Sequence, residues 1–463
     1  MTEYLLLITC LTERNLFIRT NIRKKVYFMS TTGIPAGDLE AGVQKKRFIR
    51  IIPYIFVLYI ISFLDRVNVG YAALAMNNDL GFSSAVYGLG AGIFFIGYFI
   101  MEIPGNLIMA RWSARLWLAR ILITWGLIAG LMAFVRTPWQ FYTVRFLLGL
   151  AEASFMPGII YYLSCWFQAK EQARAVALFM LAVPVGSIIG GPVSTSLLGV
   201  HWLNLAGWQW MFILEAAPAV IFGLITPFYL TDKPGQAKWL TAEERNWLIN
   251  RLNEEVDAKK AHKAYTLWQA FADRDVIILA LIYFFWVTGF YGFNMWLPTI
   301  VKGLSTTFTN QTVGWLVAIP YIGSLFSMIL VSRHSDRTGE RRCHTMLMLL
   351  TGGIGLAVSM LVVKTVGWQL VFFTVTAMGI YGAFGPFWAL PGSFLTDVAA
   401  AGTIALINSV GNLGGFVGPY VVGFLKNATG SFTGGDVFLV VCLVVAGLMP
   451  VLLKKPGQLR KSI

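Results

Sequence analysis

Long apolar runs alternate with short polar ones along nearly the whole chain. From Ile51 onward twelve such runs stand out: 51–74, 86–108, 117–135, 139–162, 173–198, 209–230, 276–300, 312–331, 343–363, 368–390, 402–425 and 435–453. About twenty apolar residues at 1.5 Å rise cover a bilayer core of roughly 30 Å, so each run predicts a membrane-crossing helix. The most polar interruption, 231–275, divides the runs six and six. Inside it, Thr241-Ala242-Glu243-Glu244 has the spacing of a capping box and predicts a short surface helix reaching about Glu255. The predicted fold is an all-α membrane protein of twelve transmembrane helices. Two six-helix halves, 45–230 and 276–454, flank a central loop, 231–275, with tails at 1–44 and 455–463.

Composition supports this class. The chain is 57% hydrophobic and only 13% charged, about half the charge a soluble globular chain carries. A net charge of +14 raises nucleic acid as a partner, but the basic residues fall in short clusters between apolar runs, which excludes that reading. The clusters alternate in side. Arg47 and Arg50, Arg111 and Arg115, Lys170 and Arg174, the 231–275 segment, Arg333 to Arg342, and Lys454 to Lys461 share one side; the opposite loops carry little charge. The positive-inside bias then places both termini and the central loop in the cytoplasm, in an inner (plasma) membrane. Residues 1–28 read as an over-long start, with Met29 the more natural beginning, because Tyr4–Cys10 is too short to span and lacks a signal-peptide cleavage site.

Catalytic and cofactor signatures are missing from the sequence. Cys10, Cys165, Cys343 and Cys442 are scattered without metal spacing, and so are the four histidines. Gly88-x-Gly90-x-Gly92 and Gly352-Gly353-x-Gly355 neither follow a strand nor open a soluble helix. They read as small-residue contacts between helices rather than a dinucleotide site. No Gly-x4-Gly-Lys-Ser/Thr occurs. The expectation is a non-enzyme with no cofactor and no metal.

Charge does occur where lipid disfavours it. Asp65 and Arg66 lie within 51–74, and Arg145 and Glu152 within 139–162. Each such group costs roughly 2.5–3.5 kcal/mol at mid-bilayer, which makes it a functional candidate. Arg145 and Glu152 are seven residues apart, on one helix face and about 10.5 Å apart along its axis. The four charges sum to zero and are read together as the centre of a transport site. Arg66 is the candidate anion anchor, since a guanidinium grips a carboxylate bidentately. Asp65 and Glu152 are the candidate proton carriers. Arg145 reads either as part of that site or as a structural partner of Asp65.

A repeat links the halves. Asn106-x3-Ala110-Arg111-x-Ser113-x-Arg115 and Ser332-x3-Asp336-Arg337-x-Gly339-x-Arg341 pair at a constant offset of 226 residues, as expected for a transporter with its site between repeats. The Asp-Arg-x-Gly-x-Arg loop, the twelve runs and the long central loop resemble the major facilitator superfamily. Closer resemblance, over nearly all of 45–455, is to its anion:cation symporter branch. It is carried by Phe63-Leu64-Asp65-Arg66-Val67-Asn68-Val69-Gly70, Arg145-x6-Glu152-Ala153-x3-Pro157-Gly158, Gly207-Trp208-Gln209-Trp210 with Glu215, and Asn408-x3-Asn412-Leu413-Gly414-Gly415-x3-Pro419.

That resemblance implies import of a small organic anion, a sugar acid or a dicarboxylate such as tartrate or an aldonate, with protons and by alternating access, in a functional monomer. It points to the same two carboxyls, Asp65 and Glu152, and places Tyr98, Trp388 and Asn408 along the substrate. Asn412, one turn beyond Asn408, serves either the substrate or helix packing; Tyr98 and Trp388 also have packing as an alternative. Asp336 and Arg337 are implied in gating. The first-half loop departs from the motif, with Ala110 and Ser113 in place of its acidic and glycine positions, which puts a charge clasp on that side in doubt. Proton-independent exchange or efflux by the same fold, and a membrane sensor, are the other readings.

Overall fold

The computed structural model describes residues 36–260, 273–362, 365–391 and 397–453. The expected start at Met29, the tail 455–463 and part of the central loop lie outside the described residues. The elements are α1 Ala36–Leu80, α2 Ser84–Arg111, α3 Ala114–Leu131, α4 Pro138–Glu152, α5 Phe155–Ser164, α6 Ala169–Met180, α7 Ala182–Leu197 and α8 Gly207–Tyr229. They continue with α9 Ala242–Lys260, α10 Arg274–Lys302, α11 Asn310–Thr338, α12 Arg342–Leu361, α13 Val366–Gly382, α14 Phe384–Ala389, α15 Asp397–Thr429 and α16 Thr433–Leu448. Among the described residues, eleven helical stretches are long and apolar enough to cross a membrane. The run 402–425 falls within α15, a helix of 33 residues.

Three predicted runs are broken rather than continuous, and proline explains where. A proline lacks an N–H and its ring crowds the carbonyl four residues earlier. Pro157, Pro184 and Pro386 accordingly follow breaks at Ala153–Ser154, Leu181 and Ala383. The first break is the tightest. Ser154 takes a left-handed φ of 73° and its Oγ donates to the Glu102 carbonyl on α2 at 2.9 Å.

Helices α1–α8 pack among themselves, as do α10–α16, and the two sets meet along α2/α15, α7/α11 and α1/α10. The meeting is closest toward the loops that follow α1, α7, α10 and α15, here termed the far face. Glycines permit it: a Cβ on Gly88 would lie 2.6 Å from the Pro419 carbonyl oxygen, and one on Gly191 2.5 Å from that of Gly314. Tyr87 Oη donates across the seam to the Met295 carbonyl at 2.8 Å. Gly88 and Gly92 thus serve helix contact, as do Gly352 and Gly355 against α13.

The opposite, near face is held by charges. Arg47, almost fully buried, grips both carboxylate oxygens of Glu171 at 2.9 Å. The predicted capping box closes, with Glu244 N donating to Thr241 Oγ1 (3.2 Å) and Thr241 N to Glu244 Oε2 (2.9 Å); α9 then runs on to Lys260, beyond the expected end. Lys46 binds Glu244 at 2.7 Å and ties α9 to α1.

Candidate functional site

Consecutive residues on a helix point about 100° apart, and on α1 this separates Asp65 from Arg66. Tyr59, Phe63 and Arg66 share one face and line a central cavity with Tyr98 from α2, Met156 from α5, Tyr283 and Tyr291 from α10, and Asn408 and Asn412 from α15. The cavity volume is about 30 Å³, room for one or two waters. Arg66 spans its middle. One terminal nitrogen donates to Tyr291 Oη at 3.0 Å, the other pairs with Glu152 Oε1, and the guanidinium lies 5.2 Å from the centroid of the Tyr98 ring. Ser62 Oγ donates to the same Glu152 oxygen at 2.9 Å. Glu152 Oε2 and Arg66 Nε are buried with no hydrogen-bond partner.

Asp65 faces the other way. It is buried, but its Oδ2 accepts from Trp125 Nε1 on α3 at 2.8 Å and it lies beside Asn68. Asn68 in turn donates to Glu215 on α8 at 3.0 Å, and Ser194 Oγ donates to the second Glu215 oxygen at 2.6 Å. The expected single centre of four charges therefore resolves into three places. Arg66 lines the cavity and pairs with Glu152, which is buried behind the wall; Asp65 belongs to a polar cluster inside the first helix set. Arg145 joins neither. Its side chain is turned to the α2 backbone, donating to the Gly90 and Ala91 carbonyls at 3.2 Å each, with Phe94 at 5.0 Å. The reading of Arg145 as partner of Asp65 is corrected accordingly.

Trp388 sits behind the cavity wall rather than on it, edge-on to Tyr283 at 5.0 Å. Asp336 and Arg337 are exposed at the near face, where Asp336 pairs with Arg341 at 2.6 Å. The first-set loop has its own clasp after all: Asp232, from beyond α8, accepts from Ser113 Oγ (2.8 Å) and lies 3.2 Å from Arg115 Nε. An acid from a distant segment replaces the one missing from the local motif.

Glu102 is the residue sequence reasoning missed. Only 2% exposed, it projects from α2 across the seam, where Asn408 Nδ2 and Ser409 Oγ of α15 donate to its two oxygens, the latter at 3.1 Å. It is the one acidic residue in the run 86–108, so the argument that singled out Asp65 applied equally to it. Among the described residues no group of His, Cys, Asp and Glu could hold a metal ion.

The family model of the Major Facilitator Superfamily matches residues 55–419. A protein of Agrobacterium vitis named "Putative tartrate transporter" is 48% identical over 433 residues, which cover 93% of this chain and 95% of the relative. The "Quinolone resistance transporter" of Acinetobacter baumannii is 40% identical over 415 residues, 88% of this chain and 94% of that one. Among solved structures, a bacterial homolog of the human lysosomal transporter Spinster, inward-facing and occupied, superposes with a TM-score of 0.69 at 15% identity, covering 87% of this chain and 96% of that chain.

Proposed function

The chain belongs to the Major Facilitator Superfamily and is a multi-pass membrane transporter rather than an enzyme, and on that premise we propose that it imports a short polyhydroxylated organic anion, with tartrate the first candidate, together with protons. The observation that carries this is the ion pair between Arg66, on the wall of the central cavity, and Glu152 buried behind it. While Glu152 is ionised it occupies the guanidinium that an incoming carboxylate needs. A proton landing on Glu152, whose Oε2 has no other partner, frees Arg66 for the substrate. Anion and proton therefore load together, because an arginine buried without a counter-ion costs about 3–5 kcal/mol.

Asn408 and Asn412 on the opposite wall offer amides to the hydroxyls or the second carboxylate, and Tyr98 and Tyr291 offer their hydroxyls. A four-carbon diacid exceeds the present cavity, so the walls must part to admit it. The two helix sets, 45–230 and 276–454, rock about the site, and the near face with both termini is cytoplasmic, following its positive charge. Asp65, off the cavity and close to Glu215, is assigned a second protonation step that relaxes the α1–α3–α8 cluster as the sets rock.

The test is uptake of radiolabelled L-tartrate into proteoliposomes under an imposed inward proton gradient. Accumulation above equilibrium, abolished by a protonophore, is expected; uptake indifferent to the gradient refutes the coupling. The aromatic wall of Tyr59, Phe63, Trp286 and Phe290, with the resistance transporter as a relative, favours export of a flat aromatic compound as the second reading. Alkalinisation of the medium when substrate is added separates symport from that export.

A further inference from the structure

We propose that Glu102 is a built-in competitor for the substrate: a carboxylate of the first helix set that occupies the anion-recognising amide of the second and so latches the near-face end of the cavity shut. This rests on the transport reading above and names how its site is regulated. Three observations converge. Glu102 lies one turn beyond Tyr98 on α2, on the near-face side of the cavity, where a chain four residues longer has advanced about 6 Å. Its two oxygens accept from Asn408 and Ser409; Asn408, and Asn412 one turn on, are themselves cavity walls. The bond joins α2 to α15, the seam whose far-face half is already closed by Gly88, Gly92 and Gly423.

The Asn408 side chain has two amide N–H groups, and Glu102 Oε1 takes one of them. A substrate carboxylate that takes the other comes to lie against the Glu102 carboxylate, and like charges this close disfavour keeping both. The substrate then displaces Glu102, and displacement unfastens α2 from α15 at the near face. Substrate capture on that side is thereby linked to opening, through exchange of one carboxylate for another. Charge-assisted hydrogen bonds of this kind are among the stronger ones a side chain makes, so removing the competitor is felt in binding.

Two readouts on purified full-length protein test this. The first is equilibrium binding of L-tartrate; the second is maleimide labelling of Met156→Cys, a cavity-lining position, in a chain whose four native cysteines are replaced by serine. Glu102→Ala is expected to bind tartrate at least fivefold more tightly and to label at least fivefold faster without ligand. Glu102→Gln, which keeps the side chain's shape and guards against misfolding, moves both the same way to a lesser degree. Asn408→Ala also labels faster, yet binds more weakly, since it removes the amide and not the competitor. Weaker or unchanged tartrate binding in both Glu102 variants, or unchanged labelling in both, overturns the proposal. If no variant binds tartrate, nor the parent, while Glu102→Ala still labels faster, the latch stands and the tartrate assignment falls.

Discussion

Replacing Glu152 by glutamine tests the coupling most directly. In the parent, tartrate that reaches Arg66 while Glu152 is ionised leaves the buried Glu152 carboxylate without its arginine. An uncompensated buried charge costs about 3–5 kcal/mol, or roughly 10²–10⁴ in affinity. The anion therefore binds almost entirely to the form protonated at Glu152, and each pH unit in which that form must be recruited weakens binding about tenfold, or ~1.4 kcal/mol. Glutamine in this position is neutral at every pH, so the slope disappears. Calorimetry in two buffers of different ionisation enthalpy, above about pH 6 so that the substrate's own carboxyls are ionised, counts the protons. One proton fewer is taken up per tartrate by Glu152→Gln than by the parent. In vesicles the variant keeps counterflow and loses accumulation. Without ligand it unfolds more readily, since Arg66 has lost its counter-ion, and saturating tartrate restores part of the loss by mass action. An unchanged proton count in the variant, with binding intact, refutes the role assigned to Glu152.

Arg66→Lys keeps the charge but loses the fork that reaches Tyr291 and Glu152 together; tartrate affinity should fall at least tenfold, measured by the same calorimetry. Gly149→Val places a Cβ 1.9 Å from the Phe94 carbonyl oxygen and should destabilise the α2–α4 crossing by about 1–3 kcal/mol or more, read as a lowered melting temperature; Gly130→Ala, where a Cβ meets nothing within 4 Å, is the neutral comparison. At the near face, partial burial pushes the Glu244 carboxyl up, but the Lys46 ammonium and the Thr241 backbone N–H outweigh it and hold the carboxyl below its ordinary range. A carboxyl depressed in the folded state contributes fully above its unfolded value and loses that contribution as pH falls through its lower, folded one. The attachment of α9 to α1 should thus loosen below about pH 4, seen as faster proteolysis of the central loop at pH 3 than at pH 7. Lys46→Ala should remove most of that difference, at a cost of about 1 kcal/mol for a pair whose lysine is half-exposed.

Much of this molecule is written locally along the chain. Hydrophobicity of roughly the right length places most of the helices to within a few residues, though α1 begins at Ala36, fifteen residues before the predicted run 51–74, and the capping box at Thr241 marks the start of α9, because both depend on neighbours in sequence. Unpaired charge in apolar runs likewise flags Asp65, Arg66, Arg145 and Glu152 without any knowledge of contacts, and the same rule would have found Glu102. What sequence could not assign is partnership. Asp65 and Arg66 are adjacent, yet 100° of helix rotation sends one to Trp125 and the other to Glu152. Arg145 and Glu152 share a face, yet one meets backbone carbonyls and the other a guanidinium. The clasp at Ser113 draws its acid from Asp232, more than a hundred residues away. Which helix faces which, and at what rotation, is set by the packing of glycines such as Gly88 and Gly191 against distant backbone. That packing belongs to the assembled bundle alone, so the identity of the charged residues is local and their pairing is tertiary.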